Sequence, residues 1–390
     1  MRIRLLSCFA VALLGLTACS SRNATGTANI TSAVLYLAAQ GDSTISAYNA
    51  TLSSGSLASV GNPLATGKMP FSIALTPSLT ALFLDNNGSN NVSAYSINSD
   101  GSLGSAAGTA ATGSMPMGMA VDPTGKFLFV ANQGSSNISA FSINGTTLTK
   151  VPGSPFTTIP AGSTEATLPS AVAVSATGKF LYVANNFTGT VSAYSISSSG
   201  ALSVLGPAPY TVGNAPSGLG MTPDGAFLYV ANAGSNNVSA FAICDKMVTS
   251  CPDPGNPDGT LTPVAGSPFP AGLGPVAIAV DPGFKFLYVL DKQSSQISQY
   301  TYAPGTGVLS ALTTPVISTG LTPFSLVIIS GATGTNIGNT LTNPTDFMYV
   351  ANNGASTLSA FSLNTTSGVL TPIGVASTVT GGNPSAVAAD

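Results

Sequence analysis

Residues 227–241 read Phe227-Leu-Tyr-Val-Ala-Asn-Ala-Gly-Ser-Asn-Asn-Val-Ser-Ala-Phe241. An aromatic-rich stretch ending in Ala-Asn fills the first six positions, small turn formers the next five, and Val-Ser-Ala-Phe closes the phrase. That order predicts a strand, a tight turn and a returning strand. The phrase recurs. Phe127–Asn132 and Phe180–Asn185 are close copies, and looser ones begin at Val34, Ala81, Phe286 and Phe347, seven in all. The first stretch ends on Ala39, Asn86, Asn132, Asn185, Asn232, Asp291 or Asn352. Six residues later stands Ile45, Val92, Ile138, Val191, Val238, Ile297 or Leu358, always followed by Ser. A connection that never changes length is a hairpin whose geometry is fixed.

Upstream of six of the phrases, and once more near the end of the chain, runs a proline-led stretch. Its prolines are Pro70, Pro116, Pro169, Pro216, Pro275, Pro323 and Pro384. Two residues on the chain is small (Ser72, Gly118, Ala171, Gly218, Ala277, Ser325, Ala386). Three residues on it is larger and apolar (Ile73, Met119, Val172, Leu219, Ile278, Leu326, Val387). Alternation with period two is a strand, and proline at its first position forfeits no ladder bond. Small residues on one face suit strands crowded together near an axis. A fourth strand, such as Leu261-Thr-Pro-Val264, completes each repeat. The expected fold is therefore all-β: a seven-bladed β-propeller with four antiparallel strands per blade. The first repeat lacks a proline-led strand, and residues 384–389 supply a surplus one. Pairing these predicts a ring closed by one blade built from 384–389 and about 33–65.

Composition limits the chemistry. Of 390 residues 44% are hydrophobic and only 6% charged; there is no His and no Trp. The sole Glu is Glu165, and the only Arg residues are Arg2, Arg4 and Arg22. A Ser-His-Asp triad, a Cys-His pair and a His-ligated metal are excluded within this chain. A net charge of −3 without a basic patch argues against a nucleic-acid partner.

The N-terminus reads as an address. Arg2 and Arg4 precede an apolar run over 5–16, too short to span a bilayer, and Leu16-Thr-Ala-Cys19 follows. That tetrapeptide resembles the bacterial lipobox. The resemblance implies a signal peptide over 1–18, lipid on Cys19, a polar tether over 19–32 and the propeller over 33–390. The chain is then exported and held on a bacterial membrane, at the outer membrane, periplasm or cell surface. In an oxidising compartment Cys244 and Cys251, seven positions apart, are read as a disulfide.

The seven phrases resemble the YVTN-type propeller repeat. Over 33–390 the chain is similar to the seven-bladed β-propeller lactonase family, which includes 6-phosphogluconolactonase-like proteins. That resemblance implies a sugar-lactone hydrolase with His and Arg around the channel, including a Pro-Arg-His stretch before an inner strand. Here the comparable place reads Leu273-Gly-Pro-Val-Ala277.

Other candidates rest on single residues. Glu165, in the loop 157–168, is the candidate general base. Asp85 and Asp291 end second strands, away from the inner strand, and are read as turn caps; Lys292 follows Asp291. Asp253, Asn256 and Asp258, with Asp245 near, have oxygen ligands at calcium-like density but no bidentate acid. No cofactor is expected unless Ca²⁺ binds there. Lys126, Lys179 and Lys285 read as surface lysines, and Asn91, Asn137 and Asn237 as products of the repeat. The expectation is a lipid-anchored binding or scaffold module whose partner is a protein or a small carbohydrate or lactone. The alternative is a 6-phosphogluconolactonase-like hydrolase.

Overall fold

The computed structural model describes residues 17–18, 32–206, 209–244, 258–331, 345–373 and 381–390. They form seven antiparallel sheets, one per repeat, arranged as the blades of a propeller. The innermost strands of blades 2 to 7 are Pro70–Leu75, Pro116–Val121, Pro169–Val174, Pro216–Met221, Pro275–Val280 and Pro323–Ile329. Blade 1 is Pro384–Ala389, Ser32–Ala39, Thr44–Thr51 and Leu57–Ala65, in that spatial order. The ring therefore closes with the strands the repeat pattern designates.

Closure copies the connection used elsewhere. In blade 3 the Asp122 carboxylate accepts the backbone N–H of Phe127, the first residue of the second strand, at 2.6 Å. Asp281 serves Phe286 alike at 2.6 Å. In blade 1 Asp390 holds the equivalent place after Pro384, and its carboxylate accepts the N–H of Val34, the counterpart of Phe127. The Asp390 N–H bonds Val34 O at 3.0 Å. The interruption in the backbone is thus spanned by the cap that a continuous turn would carry.

Adjacent inner strands pack close enough to require small residues. A Cβ on Gly218 would lie 2.3 Å from the carbonyl oxygen of Val276 in the next blade, and one on Gly118 would lie 2.9 Å from that of Ser170. Each second–third hairpin ends on a residue with left-handed backbone: Ser43, Asn90, Ser136, Gly189, Asn236, Ser295 and Ser356, with φ between 48° and 63°. Ser, Asn and Gly recur here because β-branched or bulky side chains are strained in that region. The Asn that ends the second strand in five blades fixes the hairpin from within. Asn132 Nδ2 donates to Asn137 Oδ1 at 2.7 Å and to Ser139 Oγ at 2.9 Å. Asn86 and Asn232 bond Asn91 and Asn237 in the same way. The Asn-x-Ser triplets are the receiving half of this clasp.

Blades are joined by tyrosine. Tyr36, Tyr182, Tyr229, Tyr288 and Tyr349 are buried on second strands, and each hydroxyl donates to a glycine carbonyl of the following blade. The acceptors are Gly101, Gly259, Gly307, Gly368 and Gly55, at 2.7–2.9 Å. Phe83 and Phe129 occupy the position in blades 2 and 3. Tyr229→Phe removes one donor and strands a buried carbonyl, so we expect a loss of about 1–3 kcal/mol in urea unfolding. A stability within error of wild type would mean that the staple contributes nothing.

Thr17 and Ala18 lie in parallel register beside Ile328 and Ile329, on the inner edge of blade 7. A leader cut ahead of Cys19 would take this pair with it. Residues 1–16 and 19–31, Cys19 among them, lie outside the described residues, as do Asp245, Cys251, Asp253 and Asn256. Cys244 is held in a disulfide.

Candidate functional site

The proline-led strands position the site. In each blade the pairing of first and second strands slips beside the proline. A β-bulge re-aims the side chain that it displaces. The residue after each proline sits in the slip: Phe71, Met117, Ser170, Ser217, Val276, Phe324 and Ser385. The Phe71 and Phe324 rings meet edge to face with centroids 5.0 Å apart. Their strands belong to blades 2 and 7, with the inner strand of blade 1 between them, so the rings meet on the axial side. The bulge residues therefore line the mouth of the central channel.

Their hydroxyls are already committed. Ser170, Ser217 and Ser385 donate to the carbonyls of Pro216, Pro275 and Pro70 in the following blades, at 2.6–2.8 Å. Asn87, Asn186 and Asn353, from the hairpin turns, donate to those of Pro116, Pro216 and Pro384. A ring of proline carbonyls thus carries interblade bonds around the mouth.

In blade 6 the position of Asn87 is taken by Lys292. Its Nζ lies 4.3 Å from the centroid of Phe324. Burial lowers the Lys292 pKa. Asp291, next in sequence, turns away from the mouth: its Oδ2 accepts from Ser298 Oγ at 2.6 Å and Gln296 Nε2 at 3.4 Å. The substitutions are complementary. Asp for Asn removes a donor, and Gln296 supplies an amide donor in return.

The loops of this face carry exposed apolar side chains. Met69, Met115, Leu273 and Leu321 stand in the segments that lead into the inner strands, and Phe187 tops the hairpin of blade 4. Leu321 is 66% exposed and Phe187 65%. Isolated exposed apolar residues mean little, but several on one rim mark a contact surface.

Asp85 corrects the sequence reading. It does not cap a turn: its buried carboxylate accepts the N–H of Ser72, on the inner strand, at 2.7 Å. The reason is local. In blade 2 the register breaks across both Phe71 and Ser72, and the Asp85 side chain replaces the missing ladder acceptor. Its Oδ2 has no hydrogen-bond partner among the described residues. Burial pushes its pKa well up, against the pull of the Ser72 and Phe71 N–H groups. Asp291 does hold loop backbone, accepting from the N–H of Gly272 in the bend before the inner strand, and it also ties two strands through Ser298 and Gln296.

Glu165 is exposed on its loop, and its own N–H donates to Ser163 Oγ. Asp258 is exposed and accepts from Thr260. Lys126, Lys179 and Lys285 are exposed. Among the described residues no group of three or more His, Cys, Asp or Glu could hold a metal ion.

Buried carboxyls give a pH dependence. Burial raises Asp291 and Asp346 from 3.8 to about 6. The folded state holds these protons more tightly than the unfolded chain. Their contribution is therefore full below about pH 3.8 and is lost as pH rises through about 6. We expect the melting temperature to rise from about pH 7.5 to about pH 5, with a shallower slope in Asp291→Asn. A maximum at neutrality, unmoved by the substitution, would contradict this.

With the geometry in place, a family model for the seven-bladed β-propeller lactonases matches residues 73–152, 147–249 and 253–389. No curated protein sequence matches the chain. Solved structures match at the level of fold. A proposed 6-phosphogluconolactonase from Bacteroides uniformis shares 16% identity with a TM-score of 0.73, covering 92% of this chain and all of that one. One from Bacteroides fragilis shares 18% with a TM-score of 0.73, covering 94% and 100%. The periplasmic gluconolactonase PpgL of Pseudomonas aeruginosa shares 19% with a TM-score of 0.71, covering 92% and 99%.

Proposed function

The chain belongs to the seven-bladed β-propeller lactonase family, and from the chemistry of its channel mouth we propose that it serves as a binding or scaffold module rather than a hydrolase. One observation carries the reading: the mouth presents aromatic and aliphatic side chains, serines already bonded to proline carbonyls, and the ammonium of Lys292 stacked on Phe324, with the exposed Lys68 beside Met69 on the outer rim. Hydrolysis of a lactone calls for a base beside an activated water and a donor for the developing oxyanion. No acid–base pair converges here among the described residues. Glu165, the candidate base, is exposed.

The module is proposed to be exported and held on a bacterial membrane by lipid on Cys19. The described chain enters blade 1 at Ser32, on the face opposite the mouth. A tether from Cys19 would thus leave the mouth directed away from the membrane. Palmitate labelling of the full chain in a bacterial host should mark the protein and be abolished by Cys19→Ser.

The competing reading, a sugar-lactone hydrolase, is favoured by the proposed 6-phosphogluconolactonases and the periplasmic gluconolactonase among the structural neighbours. The deciding experiment presents 6-phosphogluconolactone and gluconolactone to the mature chain, with and without Ca²⁺. We expect no rate above spontaneous hydrolysis. Turnover that disappears in Glu165→Gln would replace the binding reading with the hydrolytic one.

A further inference from the structure

We propose that the channel mouth binds an amphipathic carboxylate, its head on Lys292 and its apolar tail across Phe324 and Phe71 toward Leu273 and Leu321. The inference rests on the binding reading above and names the ligand class.

The cation comes first. Lys292 stands where Asn87, Asn186 and Asn353 of three other blades span to the next blade's proline carbonyl. It is half-buried, and its partner is the face of Phe324. Burial disfavours its charged form. An aromatic face offsets part of the desolvation of an ammonium, but it accepts none of the three N–H bonds strongly. A carboxylate oxygen would, in a partly dry setting where charge-assisted bonds are stronger than in water. The other mouth donors (Ser170, Ser217, Ser385) already serve backbone carbonyls, so an incoming anion meets one site rather than a diffuse basic surface.

The tail follows from what surrounds the charge. Backbone bonds fix Lys292 and Gln293 against Gly274 and Leu273, at 2.9 and 3.0 Å. The exposed Leu273 is therefore seated against the backbone from which the Lys292 side chain starts. Leu321 lies three residues before Phe324, and Met69 two before Phe71. A half-buried ammonium stacked on an aromatic ring, with aliphatic neighbours on one rim and the other rim cation, Lys68, exposed to solvent, matches a ligand with one charge and a hydrocarbon portion. A polyanion would leave most of its charge unpaired, and a neutral sugar would leave the cation unused.

The test uses the mature chain and three probes: decanoate, decanol and acetate, in isothermal titration below micellar concentrations. Saturable decanoate binding is expected, with acetate at least tenfold weaker. Lys292→Met should weaken decanoate about tenfold or more, leave decanol within about twofold, and be rescued by Lys292→Arg. Phe324→Ala should weaken decanoate and decanol alike. Melting temperatures of the variants report whether the ring is intact. Absence of saturable decanoate binding, or binding indifferent to Lys292→Met in a folded variant, overturns the assignment. Lactone turnover is read on the same sample, so failure of the ligand class is told apart from failure of the non-catalytic reading.

Discussion

Removal of residues 384–390 is expected to abolish the cooperative unfolding transition. The segment is the whole inner strand of blade 1 and its cap. Its loss unpairs Leu35, Tyr36, Leu37, Ala38 and Ala39, whose register partners run from Ala389 back to Pro384. It deletes the Ser385 bond to Pro70 O, the Val387 N–H bond to Ser325 and the Asn353 bond to Pro384 O. Blades 7 and 2 then lose the strand that both pack against, and buried Ala386, Val387, Ala388 and Ala389 leave the core. What remains is an open array of six blades and the three outer strands of the first, with two raw edges of the kind that recruit other chains. We expect broad, low-amplitude thermal unfolding and concentration-dependent association. A circular permutant provides the control. The turn from Asp122 to Phe127 holds four residues between them, and Asp390 and Val34 stand in the same relation. Joining Asp390 to Val34 through four residues, with new termini at the exposed Gly145 hairpin, should therefore retain a sharp transition. A truncated chain that melts like the full one would show that the ring is not the unit of stability.

The repeat announced the ring because its signals are local and redundant. Seven fixed hairpin intervals, seven proline-led strands and a surplus strand at 384–389 each pointed to the same closure. The mouth was harder to read. A period-two reading takes the strand after each proline as regular, and so assigns faces to Ser72 and Ile73 but passes over Phe71. The slip beside the proline, absent from any alternation pattern, is what turns Phe71, Met117, Val276 and Phe324 toward the axis. A signal did exist. The residue after proline varies in chemistry from serine to phenylalanine, while its two successors hold their character in all seven copies. Variation at one position of an otherwise constant phrase marks the place where the blades differ in what they contact. Asp85 was misread for a related cause: its role depends on the two-residue break peculiar to blade 2. Lys292 drew notice only as the follower of Asp291, because its stacking partner lies in another blade.

Gly218→Ala should be the most destabilising single methyl addition on the inner strands that leaves the backbone angles untouched. The φ of Gly218 is one that any residue adopts, so the effect is packing alone. Its Cβ would stand 2.3 Å from Val276 O, 3.1 Å from Val276 C and 3.2 Å from Ala277 Cα, all backbone of the next inner strand. Ordinary contact begins at 3.4 Å, so that strand must retreat. In an open sheet the retreat would be a local shift. In a closed ring each inner strand is wedged between two others, and displacement at one seam compresses the rest. We expect a loss of about 3 kcal/mol or more in urea unfolding, at the upper end of overpacking costs, and a larger loss for Gly218→Val. Gly118→Ala, whose Cβ meets Ser170 O at 2.9 Å, should cost less. Gly305 supplies the reference: it is exposed, its Cβ would meet nothing within 4 Å, and alanine there should change stability by under about 0.5 kcal/mol. Ser217, which precedes Gly218, donates to Pro275 O at the mouth. A strand forced outward at this seam would therefore stretch that bond as well. Equal stabilities for the Gly218 and Gly305 variants would show that the inner strands are not held in contact around the ring.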